Sequence, residues 1–284
     1  MSSVLFDTPG PKARVRYRVL AVVGVAAIAA LIAFVIYRFA ASGQFEPKLW
    51  SWLEYKVVQE DLVAALLNTL KAFAAGAVLA LVFGAVFAAG RLSDHAVIRV
   101  PCTAVVEFFR AVPLVVMIFA FHYGLSLGAP FYSVVLGLTL YNGSVLAEVF
   151  RAGVLSLPKG QTEAAYALGM RKTQAMTLVL LPQALRAMLP TIISQLVVLL
   201  KDTALGFLIT YEELLRYARY LGSITEFGRP LVPITIVVGA MYIAMCLLLT
   251  GLARYLESRN RRAKKVIKTE AKPEDDIALA SAAS

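Results

Sequence analysis

Charged residues are scarce in this chain of 284 residues. Asp, Glu, Lys and Arg together make up 16% of the sequence, hydrophobic residues make up 60%, and the mean hydropathy is +0.74. A soluble globular domain carries more charge than this, and a disordered chain is far more polar. The composition therefore predicts an integral membrane protein without an extramembrane domain large enough to form its own core.

Residues that commonly carry out chemistry are equally few. The sequence holds two cysteines, Cys102 and Cys246, and two histidines, His95 and His122, which are too dispersed to indicate a disulfide or a zinc site. It contains neither a phosphate-binding glycine loop nor a Ser/His/Asp arrangement. We expect no enzyme activity and no cofactor in this chain. Uphill transport of a solute would have to draw its energy from an ion gradient or from another subunit.

What the sequence does contain is a set of six long apolar runs. Each approaches or exceeds the roughly 20 residues that a helix needs to cross the hydrocarbon core. The alternating strands of an outer-membrane barrel are missing. The predicted fold is therefore all-α, with six transmembrane helices at 19–39, 62–89, 101–121, 131–150, 187–209 and 231–255.

Basic residues gather just beyond the ends of these runs and account for the net charge of +10. By the positive-inside rule they place both termini in the cytoplasm, and they leave no reason to expect binding to nucleic acid. Trp50 and Trp52 fall in the first outer loop, where we expect them to lie against the lipid headgroups. The expected divisions are a cytoplasmic basic segment (1–18), an N-terminal helix with its outer loop (19–61), a core (62–255) and a disordered cytoplasmic tail (256–284).

The stretch 156–182 is a charged interruption between the fourth and fifth predicted helices. The topology places it in the cytoplasm. Pro158 near its start and Gly169 as a stop predict a short amphipathic helix between them. A second short helix is expected to follow, with Thr173 as its N-cap and Pro182 near its end. We interpret this stretch, the coupling segment, as a docking surface for another protein.

Motifs in this segment and its surroundings resemble one family. Glu163-Ala164-Ala165, Gly169 and the later Leu181-Pro182 resemble the EAA loop of ABC importer permeases. The segments LFDTPGPKAR (5–14) and SGQF (42–45), with the first helix, are further similar to the D-type permeases of actinobacterial glutamate uptake systems. Three other segments resemble the polar amino-acid branch of the family: EFFRAVPLVVMIF (107–119), LYNGSVLAEVFRAGVLSLPKGQ (140–161) and LPQALRAMLPTIISQLVVLLKDTAL (181–205).

The resemblance covers 62–255 and implies a five-helix permease core to which the first helix is an addition. It implies a subunit of an ATP-driven importer in the cell membrane that takes up a polar amino acid, with glutamate as the expected substrate. The implied partners are a second, related permease subunit, a cytoplasmic dimer of ABC ATPases that uses ATP and magnesium, and an external solute-binding protein. The alternative is an ion-coupled secondary amino-acid transporter or a channel, although we find no inverted repeat to support it.

The resemblance assigns coupling to the ATPase to residues of the first short helix and its stop. Glu163 would pair with a basic residue of the partner, and the alanines would let the helix settle into a groove. The predicted coupling residues are Glu163, Ala164, Ala165, Leu168 and Gly169.

Polar residues near mid-depth of the membrane are candidates for the substrate pathway, because such residues usually face an interior cavity. They are Asn142, Gln195, Lys201 and Asp202. Lys201 either neutralises a substrate carboxylate or, like Asp202, serves structure through a partner within the bundle or through backbone groups, and both interpretations stay open.

Two further pairs of opposite charge lie three residues apart on helices. Glu107 and Arg110, together with Pro113, either shape an inner gate or belong to a plain kinked helix. Glu148 and Arg151 are expected to form a second pair at the membrane interface.

Overall fold

The computed structural model describes residues 10–270, and the regular secondary structure in that range is helical throughout. Short 3-10 turns at 47–54 and 203–209 and π-helical turns at 120–124 and 175–180 connect or extend the α-helices. The α-helices are α1 (Pro11–Ala41), α2 (Lys56–Arg91), α3 (Ala96–Ala111), α4 (Leu114–Phe119), α5 (Pro130–Leu155), α6 (Lys159–Ala167), α7 (Lys172–Gln174), α8 (Leu181–Asp202), α9 (Leu214–Ser223) and α10 (Leu231–Glu270).

Five of the described helical stretches are long and apolar enough to cross a membrane. They are α1, α2, α5, the stretch from Lys172 to Ile209 and α10 as far as Tyr255. The pair α3 and α4 adds a sixth if it counts as one broken span. The predicted all-α membrane fold is thereby confirmed.

The core of the bundle is a close seam between α2 and α5. Small residues recur every fourth position along α2, where Gly76, Ala80 and Gly84 are buried. A Cβ atom added at Gly84 would lie 2.9 Å from Leu146 Cβ and 3.1 Å from the carbonyl oxygen of Gly143, both on α5. Only glycine allows this approach of the two helices, a common device where lipid supplies no hydrophobic driving force.

The third predicted helix is broken at Pro113. Helix α3 ends at Ala111, Val112 adopts an extended conformation (φ −81°, ψ 126°), and α4 starts after Pro113 at an angle of 97° to α3. Proline disfavours helical geometry in the residue before it, which explains the position of the break. The predicted kink near Pro113 is thereby located, and it is a break between two helices.

A second hydrophobic cluster lies at the end of α2 opposite to α6. Trp52 is fully buried there against α9 and α10, with Leu214, Leu221 and Ile234. Trp52 therefore anchors a core, and the expectation that it faces the headgroups is wrong. Helix α9 lies between the predicted transmembrane helices 187–209 and 231–255, where no helix was predicted.

The two terminal helices extend beyond their predicted limits. Helix α1 begins at Pro11, since proline fits the first turn of a helix, and its described side chains from Lys12 onward are almost all exposed. Helix α10 continues to Glu270, so the predicted disordered tail is helical over 256–270. Residues 1–9 and 271–284, which include the rest of both predicted terminal segments, lie outside the described range.

Candidate coupling surface and intramembrane polar cluster

Helix α6 is the first of the two short helices predicted in the coupling segment, and it begins directly after Pro158. Ala165 is 3% exposed and lies on the face that packs against the π-helical turn at 175–180. Leu168 is 79% exposed, and Glu163 and Ala164 are exposed as well. The helix thus presents a charged, a small and an apolar side chain away from the rest of the subunit.

These exposures divide the predicted coupling residues into two groups. The two alanines were expected to fit together into a groove of a partner. Only Ala164 is available for that, because Ala165 already lies against its own chain. Its small side chain seats α6 on the turn at 175–180, so the expected partner contact of Ala165 is wrong.

Gly169 ends α6 in a complete Schellman motif. Its φ of +75° is left-handed, its N–H donates to the carbonyl of Tyr166 at 2.9 Å, and the N–H of Met170 donates to the carbonyl of Ala165 at 3.1 Å. A Cβ atom at Gly169 would meet no atom within 4 Å. Glycine is therefore required here by backbone conformation and not by space.

The second predicted short helix does not end at Pro182. The chain is helical from Lys172 to Ile209, and the π-helical turn at 175–180 comes just before the proline. A wider turn accommodates a residue that has no N–H to continue the ladder. Arg171, not Thr173, occupies the N-cap position, and its N–H donates to Gln174 Oε1 at 2.9 Å.

Three of the four predicted pathway residues meet between α5 and α8. Asn142 is fully buried on α5. Its Oδ1 accepts a hydrogen bond from Gln195 Nε2 at 2.7 Å, and its Nδ2 donates to Asp202 Oδ2 at 3.3 Å. Lys201 is exposed and takes no part in these hydrogen bonds. The geometry therefore separates Lys201 from the polar cluster formed by Asn142, Gln195 and Asp202.

The two predicted ion pairs belong to one network on the side of the bundle where α6 lies. Arg110 bonds Glu107 at 3.2 Å, and Arg151 bonds Glu148 at 2.6 Å, as expected. Arg91, the last residue of α2, joins them: its Nη2 lies 3.1 Å from Glu107 Oε1 and its Nη1 lies 2.8 Å from Glu148 Oε2. Its side chain is 7% exposed, the most buried of the five.

Comparison with known proteins identifies the kind of membrane bundle to which these features belong. Residues 56–262 match the family described as binding-protein-dependent transport system inner membrane component. The chain belongs to this family. The matched region begins at the first residue of α2 and leaves α1 outside.

Curated relatives of this permease are amino-acid transporters. It is 39% identical over 250 residues to the glutamate transport system permease protein GluD of Corynebacterium glutamicum, covering 84% of this chain and 90% of that one. It is 31% identical over 210 residues to the glutamate/aspartate import permease protein GltK of Escherichia coli, covering 70% and 92% of the two chains.

Chains of solved ABC transporter structures share the fold of this permease. A chain of the crystal structure of an amino acid ABC transporter with histidines superposes with a TM-score of 0.65 at 27% identity, covering 74% of this permease and 98% of that chain. A chain of the inward-facing methionine transporter MetNI superposes with a TM-score of 0.62 at 18% identity, which shows the shared fold. The predicted ABC importer permease is thereby confirmed.

Membership of this family also decides between the transport mechanisms considered above. The permease is the non-enzymatic membrane subunit of a multi-subunit ABC system and has no cofactor of its own, and ATP hydrolysis belongs to separate subunits. The alternative of an ion-coupled secondary transporter or channel is therefore wrong.

The permease contains a buried carboxylate that was not predicted from the sequence. Glu213 is fully buried and caps α9, accepting hydrogen bonds from the N–H groups of Leu215 at 2.8 Å and Arg216 at 2.7 Å. The hydroxyl of Tyr242 on α10 donates to it at 2.8 Å. Burial raises the pKa of Glu213 to about 7. An acidic residue just before a helix-like pattern was the one available signal.

Proposed function

We propose that this permease takes up glutamate, as one of two permease subunits in an importer that also contains an ABC ATPase dimer and an external solute-binding protein. The carrying observation is the 39% identity to a glutamate transport permease over 90% of that relative. The second permease subunit is a related chain and not another copy. The importer lies in the cell membrane, with α6 and both termini on the cytoplasmic side, as the flanking basic clusters favour.

The ATPase docks on α6. Glu163 and Ala164 are exposed on this helix, Leu168 is exposed at its C-cap, and Gly169 sets the direction in which the chain leaves it. A carboxylate suits a basic residue of the partner, and the small and apolar side chains suit a groove. Because α6 stands between α5 and α7, a push on it is carried to both neighbouring helices.

Reversing the charge on α6 tests this assignment. Glu163→Arg should strongly reduce the amount of ATPase that co-purifies with the permease, while Glu163→Gln should reduce it less, because it removes a charge without adding a repulsive one. Glu54→Arg is the matched control, because Glu54 is an exposed glutamate that ends the 3-10 turn before α2, at the end of α2 opposite to α6. Equal ATPase recovery from Glu163→Arg and the unaltered permease would refute the assignment.

The substrate moves along the interface with the second permease, past the polar cluster of Asn142, Gln195 and Asp202. A hydrogen-bonded cluster at membrane depth is typical of a lining that polar solutes pass. Lys201 is exposed on its subunit, next in sequence to Asp202, and is therefore free to meet a substrate carboxylate in the assembled pair. Glu107, Arg110 and Pro113 form the inner gate, since the pair lies just before the break between α3 and α4.

Charge removal at Lys201 tests the pathway. Lys201→Met should sharply reduce glutamate uptake by the reconstituted importer, and Lys201→Arg should retain more of it. Lys71→Met is the matched control, because Lys71 is an exposed lysine within the apolar helix α2. Normal uptake kinetics for Lys201→Met would remove Lys201 from the set of substrate ligands and leave it a structural residue.

A further inference from the structure

The stretch from Arg91, the last residue of α2, to Asp94 is tied by ion pairs to three neighbouring helices. Arg91 contacts Glu107 on α3 at 3.1 Å and Glu148 on α5 at 2.8 Å. Asp94, three residues later, forms an ion pair with Lys172, the first residue of α7. Helices α5 and α7 are the two that flank α6, so this stretch is attached on both sides of the coupling helix.

Apolar packing joins α5 to the far end of the segment 172–188, where Met188 lies against Gly153. Nearer to Lys172, a cavity of about 790 Å³ lies between the ends of α2 and α5 and this segment, and its wall includes Ala88, Phe150 and Met176. Asp94 and Lys172 also line this cavity. Their ion pair therefore adds a connection where the apolar packing is incomplete. The hydrogen bond from Lys172, together with its positive charge, lowers the pKa of the Asp94 carboxyl group.

Arg91 extends the connection to the broken span. Its partner Glu107 lies on α3 within one to two turns of Pro113, where the chain turns by 97° into α4. Arg91 is largely buried and holds carboxylates of two different helices at once. Removing it would leave Glu107 and Glu148, which repel each other, without the charge that joins them.

We propose that Arg91, Asp94, Glu107, Glu148 and Lys172 form an inner clamp that transmits the movement of α6 to the bent pair α3 and α4. Arg91 is its positioning residue. The inference rests on the proposed docking of the ATPase on α6. Movement of α6 shifts α7, and with it Asp94, while α5 shifts Arg91 and hence α3. Without the clamp, ATP hydrolysis continues, but α3 and α4 no longer follow the movement of α6.

The number of glutamate molecules taken up per ATP hydrolysed measures this transmission. The complete importer, with its second permease, ATPase and binding protein, is reconstituted in proteoliposomes, and both rates are recorded. Arg91→Gln should lower this ratio at least about fivefold while ATP hydrolysis persists, and Arg91→Lys should restore part of it because one charge remains. Lys56→Gln, at the far end of α2 in the exposed pair with Glu60, should leave the ratio unchanged.

A charge exchange at the exposed pair provides a test that does not disturb the core. Asp94→Lys or Lys172→Asp alone should lower uptake per ATP about two- to fivefold, as expected for the loss of one exposed ion pair. The double exchange should restore it. An unchanged ratio in Arg91→Gln and in both single exchanges would overturn the clamp.

Recovery of the ATPase separates this inference from the proposed docking site. Clamp variants should retain the ATPase during purification, whereas Glu163→Arg should lose it. If Arg91→Gln also loses the ATPase, Arg91 supports docking and the clamp is wrong. If Glu163→Arg keeps the ATPase, docking on α6 is wrong whatever the ratio in the clamp variants.

Discussion

The left-handed backbone at Gly169 gives a graded test of how strictly the coupling segment must be held. At φ +75° a side chain other than glycine is disfavoured by about 1–2 kcal/mol, and a β-branched side chain by more. No atom lies within 4 Å of an added Cβ, so the penalty is conformational alone. Gly169→Ala should therefore destabilise the turn by about 1 kcal/mol and Gly169→Val by about 2 kcal/mol or more.

These penalties oppose the closed turn, which is held by the two hydrogen bonds that the N–H groups of Gly169 and Met170 donate back to the last turn of α6. A penalty of about 2 kcal/mol reduces the ratio of closed to open turns roughly 30-fold. ATP-driven glutamate uptake into proteoliposomes should fall in the order Gly, Asn, Ala, Val, because asparagine tolerates the left-handed region better than alanine does. The amount of inserted permease should stay the same, since the turn is exposed.

Gly160 is the internal control. It lies in the same helix, an added Cβ would meet nothing within 4 Å, and its φ is not left-handed. Gly160→Ala should leave uptake unchanged or raise the stability of α6 slightly. The reasoning is refuted if Gly169→Val transports normally, or if Gly169→Asn is as impaired as Gly169→Val, because the effect would then not follow the backbone angle.

Three other substitutions have defined outcomes. Asn142→Leu removes both side-chain hydrogen bonds of a buried residue, whereas Gln195→Leu removes only one of the two. In the same proteoliposome assay, Asn142→Leu should therefore lower the maximal uptake rate more than Gln195→Leu does. Gly84→Leu should prevent assembly of the bundle, detectable as loss of monodisperse permease on gel filtration, whereas Gly239→Leu, where an added Cβ meets nothing, should not. The pKa of Glu213 is about 7 in the folded permease, against an ordinary value of 4.5, so the folded state binds this proton more tightly than the unfolded state does. The free energy of unfolding should therefore fall as the pH rises from about 4.5 to 7 and should then level off. Glu213→Gln should flatten that part of the pH profile of thermal unfolding by up to about 3 kcal/mol, and an unchanged profile would contradict the burial argument.

Features with local causes were predictable from the sequence. The limits of α6 follow from Pro158 and Gly169, and the pairs Glu107–Arg110 and Glu148–Arg151 follow from a three-residue spacing on a helix. The break at Pro113 was signalled by the proline itself, although its angle was not. Each of these needs only a few neighbouring residues to form.

Features made by distant partners were not predictable in this way. Arg91 lies just beyond the predicted helix 62–89 and was assigned no partner, because Glu107 is 16 positions away and Glu148 is further still. Trp52 was predicted to lie at the membrane interface, because the residues that bury it are on α9 and α10, far away in the sequence. Ala165 and Ala164 look alike in sequence, and only the π-helical turn at 175–180 decides that the first is buried and the second exposed.

The two ways in which helices are joined in this permease suggest which of them move together. Helices α2 and α5 approach so closely at Gly84 and Gly143 that one cannot slide along the other without collision of Leu146 with the α2 backbone. Interlocked surfaces of this kind have discrete arrangements and resist small displacement. Helix α3 is joined to this pair both by close packing of Gly90 on Cys102 and by the ion pair of Arg91 with Glu107. Helix α7, in contrast, is joined to the end of α2 through the exposed ion pair of Lys172 with Asp94, which can lengthen or exchange partners. Movement driven from α6 should therefore leave the α2–α5 seam intact and appear first at the pair of Asp94 and Lys172.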